Sequence, residues 1–364
     1  MKKPQFREDF TDRGTSTAIL DWYDHHARVL PWRISPADRA RGVRPDPYRV
    51  WLSEVMLQQT TVATVKSYFE RFTCRWPTVE LLAAEPQDEV LKEWAGLGYY
   101  ARARNLHKCA QVLVKDFDGV FPGTKTELLT LPGIGAYTAA AIASIAFDER
   151  ATVLDGNVER VMARFFAIEA PLPRSKKVLY EAADRLTPDE RSGDYAQAVM
   201  DLGATICTPR NPACGLCPLM GQCIGRKTGL AESLPRKTPK KAKPTRTGIA
   251  FVAVRSDGAI LLDRRPQTGL LGGMMEVPGS EWAENFVVSD AVKHAPVDAV
   301  WYDVSDALHS FTHFHLRLAV KRADVPMTAK PIRGHWISAE DALTQALPTV
   351  MKKVLAVGIG SPWS

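Results

Sequence analysis

The chain has 364 residues, 45% of them hydrophobic and 24% charged, with a formal net charge of +6. That length accommodates two domains with separate cores, and the modest basic excess suits a polyanionic partner without establishing one. No apolar stretch is long enough to span a membrane, and Met1 to Arg7 lack the apolar run of a secretion signal. The expectation is a soluble, cytoplasmic protein with no membrane partner.

In the first 230 residues apolar side chains recur at helical spacing, at Trp51, Val55 and Leu57, then from Leu128 to Ala146 and from Val158 to Phe166. An arginine-rich insert, Pro36 to Pro47, reads as a solvated loop. Cys74 and Cys109 stand alone on apolar helical stretches and read as core residues. Glu54 is the single acid in V-W-L-S-E-V-M-L-Q-Q-T. A carboxyl in such surroundings loses hydration and can hold a proton at neutral pH; the alternative is a surface glutamate on an amphipathic helix. Gly96 to Asn105 combines a flexible turn with two aromatics, Tyr99 among them, and with Arg102 and Arg104; the alternatives are a core aromatic for Tyr99 and a solvated helical face for the two arginines.

The segment Leu131-Pro132-Gly133-Ile134-Gly135-Ala136-Tyr137-Thr138-Ala139 reads as a helix–hairpin–helix. Gly133 and Gly135 let the backbone approach a phosphate, and the helix N-terminus that follows favours the anion. Such a contact positions a duplex without reading its bases. Asp155 just precedes an apolar helix, as an N-cap does, and a helix N-terminus stabilises its ionised form.

Cys207, Cys214, Cys217 and Cys223 form C-x6-C-x2-C-x5-C. Packed so tightly they cannot all pair as disulfides, but they can converge on one metal centre, which points to a reducing compartment. Four thiolates suit tetrahedral zinc as well as a [4Fe–4S] cube, although zinc ribbons usually present two C-x2-C knuckles and only one is here. Residues 231–247 are rich in Pro, Lys and Arg and read as an extended basic linker. Beyond it the texture changes to short alternating runs, Ile249 to Val254, Ile260 to Leu262 and Phe314 to Val320. The layout expected is an all-α domain over 1–230, the linker 231–247, and a smaller α+β domain over 248–364.

With its cysteine loop and hairpin the chain resembles the endonuclease III superfamily of DNA repair glycosylases, which implies a [4Fe–4S] cluster. Bifunctional members carry a lysine at the hairpin position held here by Tyr137, and its amine attacks the sugar. No lysine lies within this hairpin, so a monofunctional glycosylase is implied. From Leu30-Pro31-Trp32-Arg33 to His315 the pattern resembles adenine DNA glycosylases of the MutY family. That resemblance implies Glu54 as the acid that protonates adenine N7, working with Asp155, Tyr137 and Asn157, the carboxylate of Asp155 stabilising positive charge on the sugar. It implies further that Tyr99 wedges beside the partner base, that Gln59 enters the space of the flipped nucleotide, and that Trp32 and Gln197 line the adenine pocket.

Residues 248–364 resemble the Nudix-like, MutT-type C-terminal domain of the same family. Gly269 to Gly279 matches the start of a Nudix motif, but Glu281-Trp282-Ala283-Glu284-Asn285-Phe286 follows where R-E-x-x-E-E would hold magnesium. The domain is therefore expected to bind only. Phe311-Thr312-His313 matches the family's partner-reading segment, in which serine is usual at the middle position. The implied activity is excision of adenine opposite 8-oxoguanine, or guanine, in double-stranded DNA by a monomer.

Overall fold

The computed structural model describes residues 12–239, 242–286 and 293–360. Met1 to Arg7, and the linker residues 240 and 241, lie outside the described residues. The chain divides into two units, Met1–Ala84 with Asn105–Pro239 and Glu85–Arg104 with Lys240–Ser364.

The first unit is helical: α1 (Asp12–His26), α2 (Pro36–Ala40), α3 (Pro47–Leu57), α4 (Val62–Arg75) and α5 (Val79–Ala84) precede the segment given to the second unit. That segment holds α6 (Gln87–Glu93) and the start of α7 (Ala101–Phe117). Then follow α8 (Lys125–Leu128), α9 (Ala136–Phe147), α10 (Gly156–Phe165), α11 (Lys176–Leu186), α12 (Ser192–Thr205) and α13 (Ile224–Lys227).

Helix α9 is the axis of this unit. Its sequence AYTAAAIASIAF is apolar on every face, and Thr138 through Ala146 are all buried, as such a helix requires. Small residues let neighbours come close: a Cβ on Gly193 of α12 would lie 2.3 Å from the Ser144 carbonyl oxygen. On the α3–α4 side, Trp51, Phe69, Phe72 and Trp76 are buried, and the Tyr48 hydroxyl donates to the Trp76 carbonyl at 2.7 Å.

Two sequence expectations need correction, and one alternative reading is excluded. Cys109 is buried, but Cys74 is exposed. Helix α4 buries Val65, Phe69 and Phe72, and two residues beyond Phe72 the chain has turned to its outer face. The insert 36–47 is anchored, not merely solvated. Ser35 caps α2 through a bond from the Asp38 N–H at 3.1 Å, and Asp46 caps α3. Arg39, its side chain only 8% exposed, lies 3.0 Å from Asp148 and 3.5 Å from Asp194 and donates to the Ile145 carbonyl, because those two carboxylates need a counter-charge there. Arg102 is buried as well. It donates to the Leu97 and Gly98 carbonyls, both at 3.1 Å, and burial lowers its pKa to about 10. Its neighbour Arg104 donates to the Gly272 carbonyl at 2.6 Å, so neither arginine sits on a freely solvated face.

The second unit is built on a seven-stranded mixed sheet of β1 (Thr245–Arg255), β2 (Ile260–Arg264), β3 (Met275–Glu276), β4 (Tyr302–Asp303), β5 (Ala307–Ser310), β6 (His315–Val325) and β7 (His335–Ile337). The order is β3-β2-β1-β6-β4, with β5 also on β6 and β7 on β2. Strands β1 and β6 run parallel from Thr245 opposite His315 to Arg255 opposite Val325. Alternation sends Ala250, Val252, Leu316 and Leu318 to one face and Phe251, Ala253 and Ala323 to the other. The first face packs on α15 (Thr349–Ile359), which α14 (Ala339–Thr344) precedes. Strand β1 starts at Thr245, inside the stretch read as linker, and Leu234 near its other end is only 2% exposed. The architecture is an all-α helix–hairpin–helix unit with a cysteine loop, joined to an α+β unit.

Candidate active site

A cavity of about 810 Å³ opens in the first unit. Its wall includes Glu54, Tyr137, Asp155 and Asn157, together with Trp32 and Gln197, Gln59, Gly133 and Gly135. Residues as far apart in sequence as Arg28 and Ala204 thus share one space only through the fold. Tyr99, Phe311, Thr312 and His313 belong to the second unit. There the Tyr99 and Thr312 hydroxyls are hydrogen-bonded, His313 is exposed, and Phe311 stacks on Phe314 with ring centroids 4.7 Å apart.

Helix α3 presents Glu54 to the cavity with the residue 5% exposed. Burial raises its pKa to about 7; the Tyr137 hydrogen bond and Arg33 oppose that rise and the charge of Asp155 adds to it. The Tyr137 hydroxyl donates to Glu54 Oε2 at 2.8 Å. Burial, with Glu54 beside it, pushes that hydroxyl well above its ordinary value of 10, so it stays a donor. The other glutamate oxygen carries no comparable bond to a neighbouring hydroxyl among the described residues.

Asp155 caps α10. Its Oδ1 accepts the N–H groups of Asn157 at 2.9 Å and Val158 at 2.7 Å, and its Oδ2 accepts Asn157 Nδ2 at 2.8 Å. Asn157 is held in turn by Arg160 Nη2, 2.8 Å from its Oδ1. Arg160 also donates to the carbonyls of Gly203 at 2.6 Å and Cys207 at 2.7 Å. A Cβ on Gly203 would stand 2.6 Å from Asn157 Cβ, so α12 reaches this point only with glycine.

One helical turn further on, the buried Arg164 donates to Cys207 Sγ at 3.3 Å and to the Thr208 carbonyl at 2.8 Å. Its Nε donates to the Leu234 carbonyl at 2.9 Å. Helix α10 therefore begins at the cavity carboxylate and ends on the cysteine loop.

Cys207, Cys214, Cys217 and Cys223 line one small pocket. Among the described residues, no group of three or more His, Cys, Asp or Glu side chains is arranged to hold a single metal ion. Four thiolates around a shared space are a donor set that can hold a [4Fe–4S] cube.

In the hairpin, Gly133 has φ +74° and its Cβ position is 2.6 Å from Asn105 Cβ, so the tight turn requires glycine. Gly135 N-caps α9, and a Cβ there would meet open space. The first N–H groups of α9 have no partner within their helix. Gln59 and Tyr99 both sit in left-handed backbone, at φ 59° and 49°.

Three family models match: an HhH-GPD superfamily base excision DNA repair protein over residues 52–188, the iron–sulfur binding domain of endonuclease III over 207–223, and a NUDIX domain over 249–357. The adenine DNA glycosylase of Homo sapiens is 36% identical, the match covering 93% of this chain and 73% of that one. That of Buchnera aphidicola (subsp. Schizaphis graminum) is 31% identical over 94% of this chain and 98% of its own.

The chain belongs to the adenine DNA glycosylase family.

Among solved structures, a thermostable thymine-DNA glycosylase superposes with a TM-score of 0.52 at 30% identity, covering 60% of this chain and 97% of that one. The glycosylase thus hydrolyses the N-glycosyl bond of adenine in base excision repair of DNA, and its four-cysteine loop holds a [4Fe–4S] cluster. Among the described residues no helix is long and apolar enough to cross a membrane.

Sequence reasoning missed Asp201, Arg160 and Arg164. Asp201 bonds Arg28 and Arg33, and the two later arginines bind the elements just described. Asp201 did carry a local signal. It is an acid on the apolar helix Ala198-Val199-Met200-Asp201-Leu202, the pattern that singled out Glu54.

Proposed function

We propose that the glycosylase removes adenine opposite 8-oxoguanine, and more weakly opposite guanine, without cutting the strand. The observation that carries this reading is the hydrogen bond from the hairpin's Tyr137 to Glu54, in a cavity that also holds Asp155. A phenol that holds a general acid stands where a lyase would need an amine.

In this mechanism Glu54 gives its proton to N7 of a flipped adenine. The C1′–N9 bond breaks, its electron pair leaving with the base, which departs neutral. The cation left on the sugar faces the Asp155 carboxylate, which three hydrogen bonds hold in place before the charge forms. Water adds to C1′ and returns a proton to Glu54, which restores the acid. Asn157 orients Asp155; Trp32 and Gln197 line the base pocket; Gln59 and Tyr99 fill and wedge the emptied stack. The glycines of the hairpin and the N-terminus of α9 grip a phosphate. The C-terminal unit, lacking the R-E-x-x-E-E run, reads the partner base through Phe311, Thr312 and His313. The enzyme acts as a monomer.

The test is a duplex carrying A·8-oxoguanine, examined for strand breaks with and without alkali. Breaks that appear only after alkali are expected; breaks without alkali, or a borohydride-trapped DNA adduct, would show a lyase and end the reading. Because the protonated form of Glu54 acts, release should be full at acid pH and decline as pH rises through about 7.

A further inference from the structure

We propose that Asp201 is a positioning residue for adenine release, holding Arg28 and Arg33 as a clamped pair on the cavity wall and opposing the charge of Arg33 where it faces Glu54. Its side chain is fully buried, in α12, one turn beyond Gln197 of the same cavity. Oδ1 accepts Arg28 Nε at 2.5 Å; Oδ2 accepts Arg33 Nη1 at 2.7 Å and the Arg28 backbone N–H at 3.0 Å. Both arginines line the cavity, and the Arg33 side chain is only 8% exposed. A guanidinium so placed cannot be screened by water, so its field is set by its partner.

Glu54 is faced by Tyr137 from α9, by Asp155 at the start of α10, and by Arg33 from the segment before α2. Tyr23 of α1 lies beside Arg33 and Asp201 in the same charge network. Of these, Arg33 is the one cation acting on Glu54, and it favours the ionised acid, the form that cannot protonate a base. A carboxylate on the far side of Arg33 limits that effect. With the carboxylate gone, Arg33 acts unopposed or swings toward Glu54, and either way Glu54 gives up its proton at lower pH.

The inference rests on Glu54 being the general acid, and the experiment separates the two. Single-turnover adenine release is measured against pH for the wild type and for Asp201→Asn, Asp201→Glu, Arg33→Gln and Glu54→Gln, with the cluster's visible absorption and circular dichroism reporting the fold. Asp201→Asn is expected to move the alkaline limb down by about one pH unit, a loss of about tenfold near pH 8 and little near pH 5.5. Asp201→Glu, which keeps the charge, should return the limb toward the wild-type position. Arg33→Gln should move it the opposite way, and that result decides the matter if Asp201→Asn does not fold. A folded Asp201→Asn with a profile parallel to the wild type, or an Arg33→Gln limb that stays put, would reduce Asp201 to a structural ion pair. Release by Glu54→Gln at the wild-type rate would instead overturn the acid assignment itself.

Discussion

The helical unit and the sheet treat buried polarity in opposite ways. In the helical unit Glu54, Arg160, Arg164, Asp194, Gln197 and Asp201 are all buried. Among the described residues from Thr245 onward no polar or charged side chain is buried to that degree. A buried polar group costs about 1–3 kcal/mol unless it is partnered, so a fold keeps several together only with dense compensation, and the partners found here include residues of the cavity wall and of the cysteine loop. The sheet keeps an apolar interior and offers its polar groups on exposed loops, as suits recognition by surface contact. Where polarity is buried therefore separates the unit that holds the cavity from the unit proposed to read the partner base.

The contrast would break first at the carboxylates. Glu54→Gln and Asp155→Asn should each keep duplex binding, measured by gel shift, yet lose adenine release by about 10³-fold or more; near-normal release in either would remove the catalytic meaning of the buried set. Next comes Arg160→Gln, which frees Asn157 and leaves the Gly203 and Cys207 carbonyls without their donor. A loss of about 10²-fold in single-turnover rate is expected, with the cluster still bound.

Stability sharpens the same contrast. Glu54 binds its proton more tightly in the folded chain, at about 7, than at the ordinary 4.5. Its contribution is therefore fully present below about pH 4.5 and is lost as pH rises through about 7. Glu54→Gln should consequently be more stable than the wild type near pH 8, by at most about 3 kcal/mol, with the difference vanishing near pH 4 in urea titrations. The smallest effect belongs to the sheet unit. Thr312→Ala should cost about 1 kcal/mol, roughly fivefold, of the preference for 8-oxoguanine over guanine, with release opposite guanine unchanged.

Much of this was legible in the chain. Local patterns announced the hairpin, the cysteine spacing, the lone acid in α3 and the cap of α10, because each is a short-range physical constraint. Arg33 meeting Asp201 was not legible, since the pair spans 168 positions and only the crossing of distant segments creates it. Arg160 and Arg164 carried no local signal, because their partners lie on α12 and the cysteine loop, far along the chain. Cys74 misled for a related reason: an apolar neighbourhood along the chain does not say which side of the helix a residue occupies. The anchoring of the 36–47 insert depended likewise on carboxylates, Asp148 and Asp194, that lie far along the chain.

Under the proposed mechanism the left-handed backbone at Gln59 and Tyr99 has a consequence for how DNA is engaged. Each such residue, not being glycine, raises the free energy of the folded chain by about 1–2 kcal/mol. That cost falls on folding, so neither loop has to search for its shape when the duplex arrives. Glycine at either position should make a sturdier protein and a slower one to seat its substrate.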